Sequence, residues 1–278
     1  MTSLSTVDTK YVLAGTAAAG LLGYLAIKFF KKNAKTVDPG VVLLHHFPST
    51  STILSPSPFA LKLLTFFRLT GIPYENDYDQ PLGPKQKAPW IEIDGKAHTD
   101  SSFIIEYLTD YFKITLDEHL SEEERALGRV VQKTFEENTV YITVARNRIF
   151  EDSEWFFSTA KSISWIVRNL FLWSFKSRLG KNLKSHGMDK HSDEEIRHIT
   201  EGDLQAISTI LGDKHYILGD RPTSYDCALF GYLANIVYGL NPQSWPNIML
   251  RDKFPNLVEY TDRLKAEFWS DWDELLTK

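Results

Sequence analysis

Residues 87–108 read KAPWIEIDGKAHTDSSFIIEYL, and the elements they imply decide the fold. Trp90, Ile91, Glu92 and Ile93 alternate in the manner of a half-buried strand, with Pro89 at its entrance. Asp94-Gly95 is a hairpin turn pair, so a short fourth strand follows. Asp100-Ser101 then opens a helix, SFIIEYLTDYF, with Phe103, Ile104, Tyr107 and Leu108 on one face. Upstream, VVLLHHF (residues 41–47) reads as a buried strand. A polar loop leads from it to Pro58, the first-turn residue of the helix FALKLLTFFRLT, which Ser57 caps and Gly71 stops. Residues 74–78, YENDY, supply the remaining strand. The order is β-α-β followed by β-β-α.

Composition narrows the functions available. The chain has 278 residues, 43% hydrophobic and 24% charged, which is enough apolar matter for a sizeable core and excludes global disorder. The single cysteine, Cys227, excludes an internal disulfide, a CxxC redox pair and a thiolate metal cage. The net charge of −5 divides into +3 over the first forty residues and −8 over the remainder. Such an acidic body offers no electrostatic footprint for nucleic acid.

Tyr11 to Ile27 carries no charge, and the extension to Phe30 gives twenty residues, about one bilayer of helix. The stretch ends in KFFKK and not in a small-residue cleavage site, which favours an uncleaved anchor over a signal peptide. The lysines behind it orient the body toward the cytosol. The expected organisation is a tail at 1–10, a transmembrane anchor at 11–30, a basic linker at 31–40 and folded domains at 41–115 and 116–278.

Beyond Leu120 helical signals dominate. Ser121 to Glu124 and Ser192 to Glu195 are capping boxes. The aromatic stretch from Trp155 to Trp173 reads as an amphipathic core helix, with a membrane-lying or partner-binding face as the alternative. RPTSYDCALFGYL resembles the capping motif of the C-terminal domain of glutathione S-transferases, which implies that Thr223 caps, Asp226 bonds back and a buried central helix follows, with Cys227 a small core residue. Among eight histidines, His45 and His46 are neighbours on a strand and point to opposite faces, while His186, His191 and His198 lack a neighbouring cysteine, so no metal site is expected.

The β-α-β, β-β-α order is thioredoxin-like, and with residues 88–101 the first domain resembles the N-terminal domain of glutathione S-transferases. The resemblance implies an α+β two-domain glutathione-transferase-like fold: a thioredoxin-like N-terminal domain, an all-α C-terminal domain, and here one N-terminal transmembrane helix. It implies a cis bond at Pro89, pairing of the Ala88 backbone with glutathione's cysteinyl unit, and capture of the γ-glutamyl carboxylate by Asp100 and Ser101. Redox relatives place Cys-Pro-x-Cys at the first helix, where this chain has Ser57-Pro58-Phe59-Ala60, so disulfide exchange is excluded. Ser57 is open to two readings, a helix cap or a hydrogen-bond donor to the glutathione thiolate. Ser55 is a second candidate for the thiolate role.

The phrases KAPWIEIDG, DSSFIIEYL and RPTSYDCALFGYL are most similar to the failed axon connections family, which includes nematode cadmium-responsive Cdr-type proteins; metaxins are more distant. The resemblance implies a stress or detoxification role with glutathione as co-substrate or ligand, a lysosomal membrane location and an indirect cadmium response. The anchor composition suits a mitochondrial outer membrane equally. The alternative function is a non-catalytic tethering or interaction module, metaxin-like or neuronal, and a homodimer or protein partner is expected in either case.

Overall fold

The computed structural model describes residues 35–160 and 164–276. Strand β1 (Val42–His45) is buried along its whole length because it is a central strand. It pairs in parallel with β2 (Tyr74–Asp77), Leu44 opposite Asn76, and antiparallel with β3 (Trp90–Ile93), Leu44 opposite Ile91. Strand β4 (Lys96–Thr99) pairs antiparallel with β3 and completes the order β2-β1-β3-β4. Asp94 and Gly95 hold φ of 48° and 73°, as a two-residue hairpin of matching twist requires.

Helix α1 (Pro58–Thr70) connects β1 to β2. Ser57 Oγ accepts from the Ala60 N–H at 3.4 Å, and Gly71 closes the helix at φ 69°. Helix α2 (Ser101–Phe112) follows the hairpin. The rest of the chain is helical. Helix α3 (Glu122–Lys133) starts from the Ser121 capping box and continues without a break to Glu151. Beyond Lys133 it is wound with i→i+5 bonding in three runs, Thr134–Thr139, Tyr141–Ala145 and Asn147–Glu151. Then come α4 (Ser153–Thr159), α5 (Trp165–Ser185), α6 (Asp193–Leu211), α7 (Ser224–Val237), α8 (Trp245–Lys253), α9 (Pro255–Phe268) and α10 (Trp272–Leu275). This is the expected thioredoxin-like layer followed by a helical region.

Helix α7 is the expected central helix, buried from Asp226 to Val237. It crosses α1 at Gly231, where a Cβ would sit 2.5 Å from the Pro58 carbonyl and 2.9 Å from the Lys62 nitrogen. Helix propensity alone favours alanine there by about 1 kcal/mol, but backbone atoms at that range cannot yield cheaply. Gly231→Ala is therefore expected to destabilise the fold by about 3 kcal/mol, read as a lowered urea midpoint at unchanged slope; a neutral result would contradict the close crossing. From the far end of the chain, Trp269 and Trp272 enter the same core, and Arg68 of α1 makes a two-pronged pair with Asp271 at 2.6 and 2.9 Å.

The expected single-pass membrane placement is corrected. Among the described residues no helix is long and apolar enough to cross a membrane, and the anchor expected at 11–30 lies outside the described residues. Helix α5 has 21 residues but carries Arg168, Lys176, Arg178, Lys181 and Lys184, which a hydrocarbon core does not tolerate. The mitochondrial outer-membrane placement built on that anchor is withdrawn with it, and so is the lysosomal membrane placement that the resemblance implied.

Candidate functional site

A cavity of about 820 Å³ opens where the loop after β1, the start of α1, residues 85–89, the start of α2, the wide-wound helix and α5 meet. Ser57, Ala88, Pro89, Asp100 and Ser101, which span forty-five positions of sequence, all line it. The Ala88–Pro89 bond is cis. Ser55 does not reach the cavity. It is fully buried behind the loop, its Oγ accepting from the Ser57 N–H at 3.3 Å and meeting His46 Nδ1 at 3.4 Å. Its work is to fix the turn that presents Ser57. Thr223 and Asp226 lie away from the cavity in the interior. There the Asp226 carboxylate accepts from Thr223 N–H at 2.8 Å and Thr223 Oγ1 at 2.6 Å.

At the α2 end of the cavity, Asp100 caps the helix, accepting from the Ser102 N–H at 3.0 Å, so its N-terminal dipole faces the cavity. Beneath it is a buried ion pair that sequence reading missed. Lys62 Nζ, from the interior of α1, meets Glu136 Oε1 at 2.6 Å and donates to the hydroxyls of Ser102 at 3.1 Å and Ser101 at 3.4 Å. Gln132 Nε2 donates to the same carboxylate at 2.9 Å and Lys133 approaches its other oxygen at 3.3 Å. Burial pulls the Lys62 ammonium below its ordinary range, against the pull of Glu136. Burial also works against the Glu136 carboxylate, but the Lys62 charge and the donated hydrogen bonds outweigh it and hold the carboxyl below its usual value. One signal was available: Lys62 is the single charge inside FALKLLTFF, on a stretch with no exposed face to spare.

The wide winding shapes the long wall. Cavity-lining positions recur every four residues, Glu136, Val140, Val144 and Arg148 in one column and Lys133, Glu137, Tyr141, Ala145 and Ile149 in the next. On an α-helix such columns would turn by about 40° per step and leave the cavity. The i→i+5 stretch keeps them on it, in line with the association of such winding with functional sites. Arg148 is buried and also escaped the sequence reading; it donates through Nη1 to the Pro56 carbonyl and through Nη2 to the Gly239 carbonyl at 3.0 Å.

The far half of the cavity is apolar. Phe171 and Phe175 of α5 stack at 4.1 Å, Phe47 meets both edge-on at 6.2 Å, and Phe157 meets Phe171 at 5.8 Å. The core-helix expectation for residues 155–173 is corrected by this arrangement. Leu179 is the one buried residue of α5, whose inner face lines the cavity while Trp165 and Trp173 are each 75% exposed on the outer face. Elsewhere, His45 is engaged by Asp77 at 2.7 Å and stacked on Trp90 at 3.7 Å, and burial lowers His46 to about 4. Among the described residues no group of three or more His, Cys, Asp or Glu side chains is arranged to hold a metal. Cys227 is buried in α7, where burial pushes its thiol well up and leaves it inert.

A thioredoxin-like layer with a cis-proline beside a helix N-terminus, joined to a helical region across a cleft, is the architecture of the glutathione transferases. The N-terminal domain family of glutathione S-transferases matches residues 58–154, and the C-terminal domain family matches residues 200–264. The chain is 30% identical over 226 residues to the isoprene-epoxide–glutathione S-transferase of a Rhodococcus species, covering 76% of this chain and 92% of that one, and it belongs to the glutathione S-transferase family. It is 29% identical over 263 residues to Failed axon connections of Drosophila melanogaster, covering 90% of this chain but 63% of that protein's length. A metaxin-2 homolog of Caenorhabditis elegans is similar at 21% over 230 residues, 80% of this chain and 98% of that one. Both similarities agree with the resemblance drawn from the sequence. The β-etherase LigF of a Sphingobium species shares the fold at a TM-score of 0.59 and 18% identity, covering 83% of this chain and 99% of that structure.

Proposed function

We propose that this chain binds glutathione in the cavity and presents its sulfur to an apolar electrophile. The observation that carries this reading is convergence: Ser57, Ala88-Pro89 and Asp100-Ser101 meet on one cavity whose other half is lined by phenylalanines. The Ala88 backbone would pair with the cysteinyl unit. Ser101, with the Lys62 ammonium 3.4 Å behind its hydroxyl and the α2 dipole beside it, would hold the γ-glutamyl carboxylate. Ser57 would donate to the sulfur. The thiolate attacks an electrophilic carbon such as that of an epoxide, a C–S bond forms, and the C–O bond breaks with its electron pair going to the oxygen, which takes a proton from water. The Rhodococcus relative is named for an epoxide of this kind. A role in stress or cadmium response would follow indirectly, from glutathione chemistry and not from metal capture.

Retention of the full chain on immobilised glutathione, with a conjugation assay on an epoxide, tests the reading. Ser101→Ala is expected to weaken glutathione binding about tenfold, the worth of one charge-assisted hydrogen bond. Ser57→Ala should leave binding within about twofold and lower turnover. Absence of both binding and conjugation by the wild-type chain would remove the proposal. One observation favours a second reading, the exposed outer face of α5 around Trp165 and Trp173. A tethering module of metaxin type, homodimeric or held to a protein partner, would use it, and glutathione binding without turnover is the result that supports that reading.

A further inference from the structure

Arg148 is 5% exposed, and among the described residues no carboxylate pairs with it. Its Nη atoms reach only main-chain oxygens, of Pro56, Asn235 and Gly239; its Nε has no hydrogen-bond partner; and the Phe156 ring lies 5.5 Å away. A guanidinium in that position is costly, because backbone dipoles compensate a buried charge less well than an opposite charge does. The acids on the same cavity are occupied: Asp100 caps α2, Glu136 pairs with Lys62, and Glu137 pairs with Lys133 at 2.9 Å. The lysines at the rim, Lys85, Lys87 and Lys181, are exposed. The unmatched buried charge is thus at Arg148, bonded to the carbonyl immediately before Ser57.

We infer that Arg148 is the cation that holds bound glutathione as its thiolate, with Ser57 donating a hydrogen bond to the same sulfur; this rests on the glutathione-binding reading above. The step is an ionisation: the S–H bond breaks, the proton leaves to water, and the sulfur keeps the electron pair opposite the guanidinium. A neutral serine alone supplies a dipole. The arginine supplies the full charge that a low-dielectric wall makes effective. Burial lowers Arg148 itself to about 9, so it stays protonated over the neutral range in which the thiol ionises.

The test is a titration of the bound thiol by thiolate absorbance in the full chain. The wild type is expected to ionise glutathione at least about one unit below the free thiol, a tenfold gain in thiolate below that range. Arg148→Gln should return the bound thiol toward its free value, while Arg148→Lys, which keeps the charge, stays near wild type. Glutathione that binds the wild type with its thiol at the free value overturns the inference without needing a variant, so a failure of Arg148→Gln to fold leaves the test intact. Equal bound-thiol titration in wild type and folded Arg148→Gln overturns it as well. If glutathione is not retained at all, the binding reading falls first and takes this one with it.

Discussion

Asp226→Ala should lower the stability of the chain by about 4 kcal/mol, a large part of the 5–15 kcal/mol available to a typical domain. The carboxylate is fully buried and accepts four hydrogen bonds, from Ile217 N–H at 2.8 Å, Thr223 N–H at 2.8 Å, Thr223 Oγ1 at 2.6 Å and Tyr260 OH at 2.7 Å. These partners join the loop before α7, the cap of α7 and the helix α9 that packs on it. Truncation removes the acceptor and leaves the donors dry, at about 1–3 kcal/mol for each one that finds no substitute. Asp226→Asn keeps one oxygen and the shape, so about half the loss is expected. Denaturant unfolding of the three proteins gives the answer, and a loss below about 1 kcal/mol for alanine would show that the donors find other partners.

The second large effect is at Lys62. Lys62→Met is expected to cost about 3 kcal/mol at pH 7, since removing one member of a buried pair strands the other. Lys133 and Gln132 remain near Glu136 and temper the loss. The pH dependence follows from the directions of the shifts. In the wild type Glu136 is held below its unfolded value, so its contribution is present above the unfolded range near pH ~4.3 and is lost as pH falls through the lowered folded value. In the variant burial has lost its main opponent, and the carboxyl rises. Acidification then neutralises a stranded charge, and the stability gap between the two proteins narrows from pH 7 toward pH 4. Adding Glu136→Gln should recover part of the loss at pH 7. If the double variant is as unstable as the sum of the single ones, the pair is not coupled in this way.

The contrast between what could and could not be read from the sequence has a physical origin. Asp94-Gly95, the Ser57-Pro58 start, the Gly71 stop and the Ser121 and Ser192 capping boxes are settled within a few residues by backbone chemistry, and each stands where the sequence puts it. The polar rim of the cavity was legible for the same reason, because Pro89 and Asp100-Ser101 mark a strand entrance and a helix start. Lys62 and Glu136 are seventy-four positions apart, and no local pattern announces that they meet. Arg148 was hidden in a run that reads as ordinary helix, because apolar spacing does not report whether the bonding is i→i+4 or i→i+5. The outward face of α5 was misread as core since Trp, Ile and Leu at helical spacing do not say which side is covered.

The wide-wound helix also changes how this chain can be laid against its relatives. Along β1, α1, the hairpin and α2 the chain keeps ordinary strand and α-helix spacing. From Thr134 to Glu151 the wall advances by a four-residue ruler, so a relative with an ordinary helix there slips out of phase within two turns. An aligned letter opposite Arg148 in such a relative would face a different direction. That wall of the cleft must therefore be matched to a relative's in space and not by counting along the sequence.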